Sequence, residues 1–193
     1  MRTERCHITL LQPDQAHLLV QYHLLNREHI APWEPERGED FYQLDTMRKA
    51  IAGHWRDFIL GRSAHFAALD HAHQRVLATC SLQQIQRQAL NMAVLGYSVS
   101  KDMEGTGLMH EVAQAVMDYA WRDLKLHQLQ ASHASDNRRS RRLLLRLGFR
   151  EVGMLPRYLK TPGGWQDHRL YHCLNPLEAG NHGLPSLLGA DGE

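Results

Sequence analysis

The stretch LGYSVSKDMEGTGLM, residues 95–109, runs from an alternating apolar segment through two glycines into a helical repeat. Leu95, Tyr97 and Val99 alternate with small or polar residues, the period of a half-buried strand. Leu108, Met109, Val112, Val116, Tyr119 and Ala120 then recur at helical spacing, which predicts a helix over residues 106–122. The start of a helix leaves backbone N–H groups unpaired and carries partial positive charge. Glycines there let a ligand approach the main chain because no Cβ intervenes. Strand, Gly-rich turn and helix together describe an anion site. The same residues also serve a tight turn with no ligand. The loop is not a P-loop, because no Gly-Lys-Ser/Thr follows, and it lacks the third glycine of a dinucleotide fingerprint.

Outward from this stretch the chain alternates elements. CHITLLQ reads as a short strand, and PDQAHLLVQYHLL as a helix through Leu18, Leu19, Tyr22 and Leu25. NREHIAPWEPERGED is expected to be irregular, because Pro32 and Pro35 oppose a regular element. Leu44, Met47, Ile51, Trp55, Phe58 and Ile59 mark a second amphipathic helix closed by Gly61. AHFAALD, RVLATCSLQQIQ and LNMAVLGYSVS are strands separated by turns at 70–74 and 87–89. Beyond the glycine loop come a strand, HQLQASHAS, and a basic Leu-rich helix, NRRSRRLLLRLGF, closed by Gly148. EVGMLPRYLK and WQDHRLYHCL pair around Pro162-Gly163-Gly164. Helices between strands, with hairpins at both ends, predict an α/β sheet of mixed direction. A single domain is expected over 5–175, with a Gly- and Pro-rich tail, 176–193, expected to be flexible.

Composition narrows the class. At 193 residues the chain can bury one real core. A formal charge of +1 supplies no global field toward DNA or membrane surfaces, so neither is expected as a partner. No apolar run approaches the ~20 residues that span a bilayer. The N-terminus has no apolar stretch of a secretory signal. Cys6, Cys80 and Cys173 are far apart and form no CxxC, which points to reduced thiols in apolar strands and a cytoplasmic location. His71 and His73 lie in a turn, LDHAHQRV, with no third ligand at metal spacing, so no metal is expected.

Asn137 and Ser140 fall on one face of the first turn of the basic helix, and Leu147-Gly148-Phe149 ends it. Asn137 also suits a helix N-cap. With these residues the chain resembles the GNAT superfamily, whose acetyl-CoA loop has the pattern [QR]-x-x-G-x-[GA]. Glu104-Gly105-Thr106-Gly107-Leu108-Met109 lies on that pattern, with Glu104 and Met109 departing from it. Asn137, Ser140 and Leu147-Gly148-Phe149 match the later N-x-x-[AS]…LGF signature. NREHIAPWEPER and YLKTPGGWQDHRLY make it similar to the Rim-type ribosomal-protein N-terminal acetyltransferases, their RimJ branch above all.

The resemblance implies a GNAT (acyl-CoA N-acyltransferase) fold, a mixed central β-sheet flanked by helices, with acetyl-CoA as co-substrate. It implies cofactor contacts from Ser98, Val99, Gly105, Thr106, Gly107, Leu108, Met109, Asn137 and Arg139, with the Val99 N–H facing the thioester oxygen. Glu104 is expected to point into solvent, away from the pyrophosphate it would repel. Many members carry a Tyr at the position of Leu144 that protonates the departing thiolate; here Ser140 is expected to take that role, its other reading being a helix-start serine bonded to backbone. Glu34, between two prolines, is the first candidate base, its other reading being a partner for Arg37. Trp33, Tyr97 and Asp167 are expected at the acceptor, with Asp167 or a water chain as the alternative base; Trp33 reads equally as a core residue. The arginines of the basic helix read first as a solvated face, then as a CoA-phosphate contact, then as an RNA surface.

The implied reaction is acetyl transfer to an amine. The amine must be neutral to attack, and an α-amino group (pKa ~7.7–8.0) loses its proton more easily than a lysine side chain (~10.4). A protein N-terminus, ribosomal among the candidates, is therefore the expected acceptor. The alternatives are a small-molecule amine or a non-catalytic acetyl-CoA- or RNA-binding module. A monomer or weak homodimer is expected.

Overall fold

A computed structural model of the chain describes residues 1–178. Seven strands form one mixed sheet in the order β1-β2-β3-β4-β5-β7-β6. They are β1 (His7–Thr9), β2 (Ala64–Leu69), β3 (Val76–Gln86), β4 (Met92–Val99), β5 (Gln128–Ala134), β6 (Arg150–Thr161) and β7 (Gly164–Leu174). The helices are α1 (Ala16–Leu25), α2 (Arg27–Ile30), α3 (Leu44–Ile59), α4 (Leu108–Arg122) and α5 (Arg138–Arg146). All pairings are antiparallel except β4 with β5, which the α4 crossover makes parallel.

Two cores cover the two faces, and β2 shows how the sequence sorts them. Ala64, Phe66 and Ala68 join the core beneath α4 and α5, with Leu108, Val112, Val116, Leu129, Leu144 and Phe149. Ala67 and Leu69 point the other way, to a smaller core with Tyr22, Ile30, Met47 and Ile51 beneath α1 and α3. Through the β2–β3–β4 register, Ser81 and Gly96 follow His65 on this second face, and Thr79 and Ser98 follow Ala67. Cys6, Cys80 and Cys173 are buried free thiols, although Cys6 sits just before β1 rather than in a strand.

The structure departs from the sequence expectation in three places. Residues 26–40 are not wholly irregular: α2 forms one turn before Pro32, and a 3-10 turn spans Glu39–Tyr42. Pro32 cannot continue a helix but does not forbid one ending just before it. The helix after the glycine loop begins at Leu108, because Gly107 lies in the left-handed region that no helix interior adopts. Residues 176–178, the start of the expected tail, form a 3-10 turn whose Glu178 bonds His127 at 2.5 Å; 179–193 lie outside the described residues.

The decisive feature is a failure of pairing. β4 and β5 are matched only over Met92–Val94 with Gln128–Gln130. β5 then stays with β7 as far as Ala134, while Leu95–Val99 of β4 keep β3 alone. The N–H of Ser100 donates to Leu77 on β3 at 2.9 Å. By the alternation of an antiparallel ladder, Tyr97 and Val99 therefore direct their backbone groups into the gap.

Asn26 ties the second face to this gap. Its Nδ2 donates to the Tyr22 carbonyl at 2.8 Å, and its Oδ1 accepts the Lys101 N–H at 2.8 Å. The residue is buried, so truncation leaves the Lys101 N–H without its acceptor, while the Tyr22 carbonyl keeps the Asn26 N–H at 3.1 Å. Asn26→Ala is expected to lower unfolding stability by about 1–3 kcal/mol, read as a lower urea midpoint with an unchanged slope.

Candidate active site

The gap opens onto two surfaces of different chemistry. On the α4 side the chain makes a 3-10 turn at Lys101–Met103 and enters the glycine loop. Gly105 and Gly107 have φ of +74° and +85°, which a side chain would strain. Thr106 Oγ1 donates to the Met103 carbonyl at 2.8 Å and accepts the Leu108 N–H at 3.3 Å, so its side chain shapes the loop. Arg5 Nη1 donates to the Thr106 carbonyl at 2.7 Å, and Arg5 Nε to Glu111 at 2.6 Å, bracing the loop from outside. The N–H groups of Gly105, Gly107 and Met109 have no partner among the described residues. The loop therefore fits a pyrophosphate: free donors at the start of a fifteen-residue helix and no Cβ at its two glycines. The Leu108 and Met109 side chains are buried in the core, leaving only their backbone for a ligand.

Across the mouth of the gap stands α5. Asn137 Oδ1 accepts the Ser140 N–H at 3.0 Å, which caps the helix. The Ser140 hydroxyl bonds the Tyr97 hydroxyl at 2.6 Å rather than any backbone group. Burial pushes the Tyr97 phenol far above its usual range, so it keeps its proton. The Tyr97 hydroxyl thus meets α5, and Tyr97 is also among the residues that line the cavity on the α1 and α3 face, where the sequence reading expects the acceptor. Leu144 is fully buried and points into the core.

Glu104 also differs from expectation. Its carboxylate pairs with Arg139 at 2.8 Å and lies 3.6 Å from His29 Nε2. The loop and α5 are therefore strapped together, and Arg139 is engaged within the protein. The sequence reading missed this because the two residues are distant in the chain and meet only when the loops after β4 and β5 come together.

The α1 and α3 face carries a cavity of about 730 Å³. Trp33, Phe41, Trp55, His23, His54, His65, Tyr158 and His168 line it, and among its lining residues Glu34 is the only carboxylate. Burial lowers the pKa of His23 and of His65 to about 4, and that of His54 below its usual value, so all are neutral near pH 7. His54 and His65 stack with centroids 3.8 Å apart. Burial raises the Glu34 carboxyl, opposed by Arg37 at 3.5 Å. Ser98 faces this cavity side, bonding Tyr22 at 2.8 Å and Thr79 at 2.9 Å, while its backbone belongs to the β3 ladder. That placement removes it from the cofactor side, since neighbours on a strand face opposite ways. Asp167 is absent from the cavity wall; its carboxylate accepts the Arg157 N–H at 2.8 Å. Among the described residues no cluster of three or more His, Cys, Asp or Glu could hold a metal.

The Glu104 strap generates a test. Removing its charge frees Arg139 and lifts repulsion from the glycine loop. Glu104→Gln is expected to tighten acetyl-CoA binding about two- to fivefold at low salt, in line with an ion pair whose arginine is open to solvent, with the gain fading at high salt. Isothermal titration at two ionic strengths reads it.

Comparison with known proteins agrees with this geometry. The acetyltransferase (GNAT) domain family matches residues 5–150. The probable N-acetyltransferase YjcK of Bacillus subtilis is 34% identical over 151 residues, 78% of this chain and 83% of that protein. The [ribosomal protein uS5]-alanine N-acetyltransferase of Escherichia coli is 30% identical over 177 residues, 91% of each. The crystal structure of ribosomal-protein-S5-alanine acetyltransferase from Vibrio fischeri superposes with a TM-score of 0.87 at 26% identity, covering 91% of this chain and 96% of that one. The chain belongs to the acetyltransferase (GNAT) domain family, as an acetyl-CoA-dependent N-acetyltransferase.

Proposed function

We propose that this enzyme acetylates the α-amino group of a protein N-terminus, a ribosomal protein being the foremost candidate. The observation that carries the reading is the acceptor cavity: roomy, walled by aromatic rings and neutral imidazoles, with Glu34 its one carboxylate. A polyamine would call for several anionic partners, whereas a chain terminus brings one ammonium and an otherwise uncharged backbone. The E. coli relative of matching length is named a [ribosomal protein uS5]-alanine N-acetyltransferase, which supports a ribosomal-protein acceptor. We place the reaction in the cytoplasm, where nascent and ribosomal N-termini are available.

In this reading the free N–H groups of the glycine loop hold the pyrophosphate, and the thioester lies in the gap. The Val99 N–H faces the carbonyl oxygen as it gains charge. The acceptor enters from the cavity, with Glu34 drawing in its ammonium and Trp33 flanking the peptide. Ser140, held by Tyr97, donates to the leaving sulfur. The pair supplies protons on the cofactor side of the gap and none toward the amine.

Purified enzyme assayed by thiol release, against peptides with different N-terminal residues and against small amines, tests the class. Turnover with at least one peptide is expected; turnover confined to a small amine overturns the reading. Ser140→Ala is expected to lower kcat on the order of 10²-fold while leaving the KM for acetyl-CoA little changed.

A further inference from the structure

The carboxylate at the cavity mouth is paired with Arg37, which leaves open which group takes the proton from the amine. Four histidines line the cavity: His23, His54, His65 and His168. Their positions in the fold separate them. His23 belongs to the helical layer, its ring against Phe41 at 4.9 Å. His54 and His65 stack on each other over β2, two strands from the gap edge, roughly 10 Å away at sheet spacing. His168 lies on β7, directly behind β5, and β5 is the other wall of the gap.

Register places His168 along the gap as well. Val94 pairs with Gln130, so four residues further along these parallel strands Ser98 stands level with Ala134. Ala134 is the cross-strand partner of His168. His168 is therefore level with Ser98 and Val99, where the Val99 N–H faces the gap. It shares its face with Ser132, whose hydroxyl is 3.3 Å from its Nδ1, and that face is the cavity side. The residue is 5% exposed, and its Nε2 is buried with no hydrogen-bond partner. Buried polar atoms in native structures are normally paired, so an orphan beside a reaction site calls for a function. His133 carries a similar orphan, but it faces the opposite core, stacked on Tyr171 at 5.1 Å.

We infer that His168 is the base of the reaction, its Nε2 taking a proton from the acceptor ammonium. With its proton on Nδ1 donated to Ser132, the imidazole presents a lone pair at Nε2. The nitrogen of R–NH3⁺ gives up one proton there and attacks the thioester carbon. The C–N bond forms and the C–S bond breaks. His168 passes the first proton to water and then takes the second from the acylated nitrogen, Ser140 gives its proton to the sulfur and regains one from solvent, and one proton is released net. The inference rests on the acetyl-transfer reading but holds for any amine acceptor.

A cover is built over the base. The Tyr158 ring lies 5.2 Å from the His168 ring and is half exposed. It rides on β6 where the register slips between Leu155 and Leu159 and Arg157 adopts φ +49°. Such bulges beside sites re-aim a side chain, and a left-handed non-glycine residue persists only when its surroundings hold it. Asp167 is that hold, through the Arg157 N–H. Asp167 is accordingly a positioning residue, placing Tyr158 so that the base opens only when an acceptor displaces the ring.

The pH dependence of kcat at saturating acceptor tests this, because it reports the base in the bound complex. Burial lowers the His168 pKa, so the imidazole is neutral at pH 7 and activity is lost as pH falls through that lowered value. The groups facing it are Tyr158 from β6 and Ser132 from β5; Glu34 and Arg37 lie on the same cavity, and His133 lies behind it. The neighbouring Asp167 and Arg169 are engaged with Arg157 and Glu151. His168→Asn and His168→Gln are expected to lower kcat by about 10²–10⁴-fold and to abolish the acid limb, with acetyl-CoA affinity retained by calorimetry. Glu34→Gln is expected to raise the acceptor KM and keep the limb. A limb that survives in a folded His168 variant, or that disappears in Glu34→Gln, overturns the inference. The Glu34 arm decides the matter even if both His168 variants fail to fold. Failure of every peptide with turnover of a small amine would sink the N-terminal reading alone, and the same profiles would then be run with that amine.

Discussion

The incomplete pairing of β4 with β5 is the constraint on which the rest depends. Three residues of parallel ladder hold the strands together, and beyond them β4 keeps only β3 and β5 only β7. Unpaired backbone groups in a sheet interior are costly, and native folds leave them only where something else will meet them. Here the open edge carries the Val99 N–H, and the loops that leave the two strands carry the glycine cradle and the cap of α5. One topological choice therefore opens a slot between the strands and brings together residues some thirty-five positions apart, as Glu104 and Arg139 show.

The sheet also divides the chemistry. Strand alternation sends Tyr97 toward Ser140 on the cofactor side and Ser98 toward Tyr22 and Thr79 on the acceptor side. The hydroxyls proposed to serve the leaving sulfur and the groups proposed to receive the amine are thus on opposite faces of one strand. A single layer of backbone keeps them apart, so in the proposed mechanism the proton given to sulfur and the proton taken from nitrogen use different side chains.

Much of the cofactor half was legible in the sequence because its cues are local. A glycine pair at a helix start, an N-cap asparagine and a serine three residues later are contiguous features with their own backbone requirements. The acceptor half was less legible. Trp33 and Glu34 stood out by their flanking prolines, and both line the cavity. Asp167 stood out as a carboxylate, yet it spends that carboxylate on the Arg157 N–H, while its neighbour His168 faces the cavity. Alternation guarantees that the two point apart, but only packing tells which faces which side. His23, His54 and His65 carried no signal at all, being single histidines in amphipathic segments.

By itself the sequence determined the order of strands and helices, the anion-binding turn and the cap of α5, because period-two and helical repeats, glycine conformations and caps are set within a few residues. The tertiary structure alone decided that β4 and β5 part after Val94, that Glu104 straps the loop to Arg139, and that His168 shares a face with the acceptor cavity. Those outcomes depend on strand order, register and the meeting of distant segments, which no local pattern encodes.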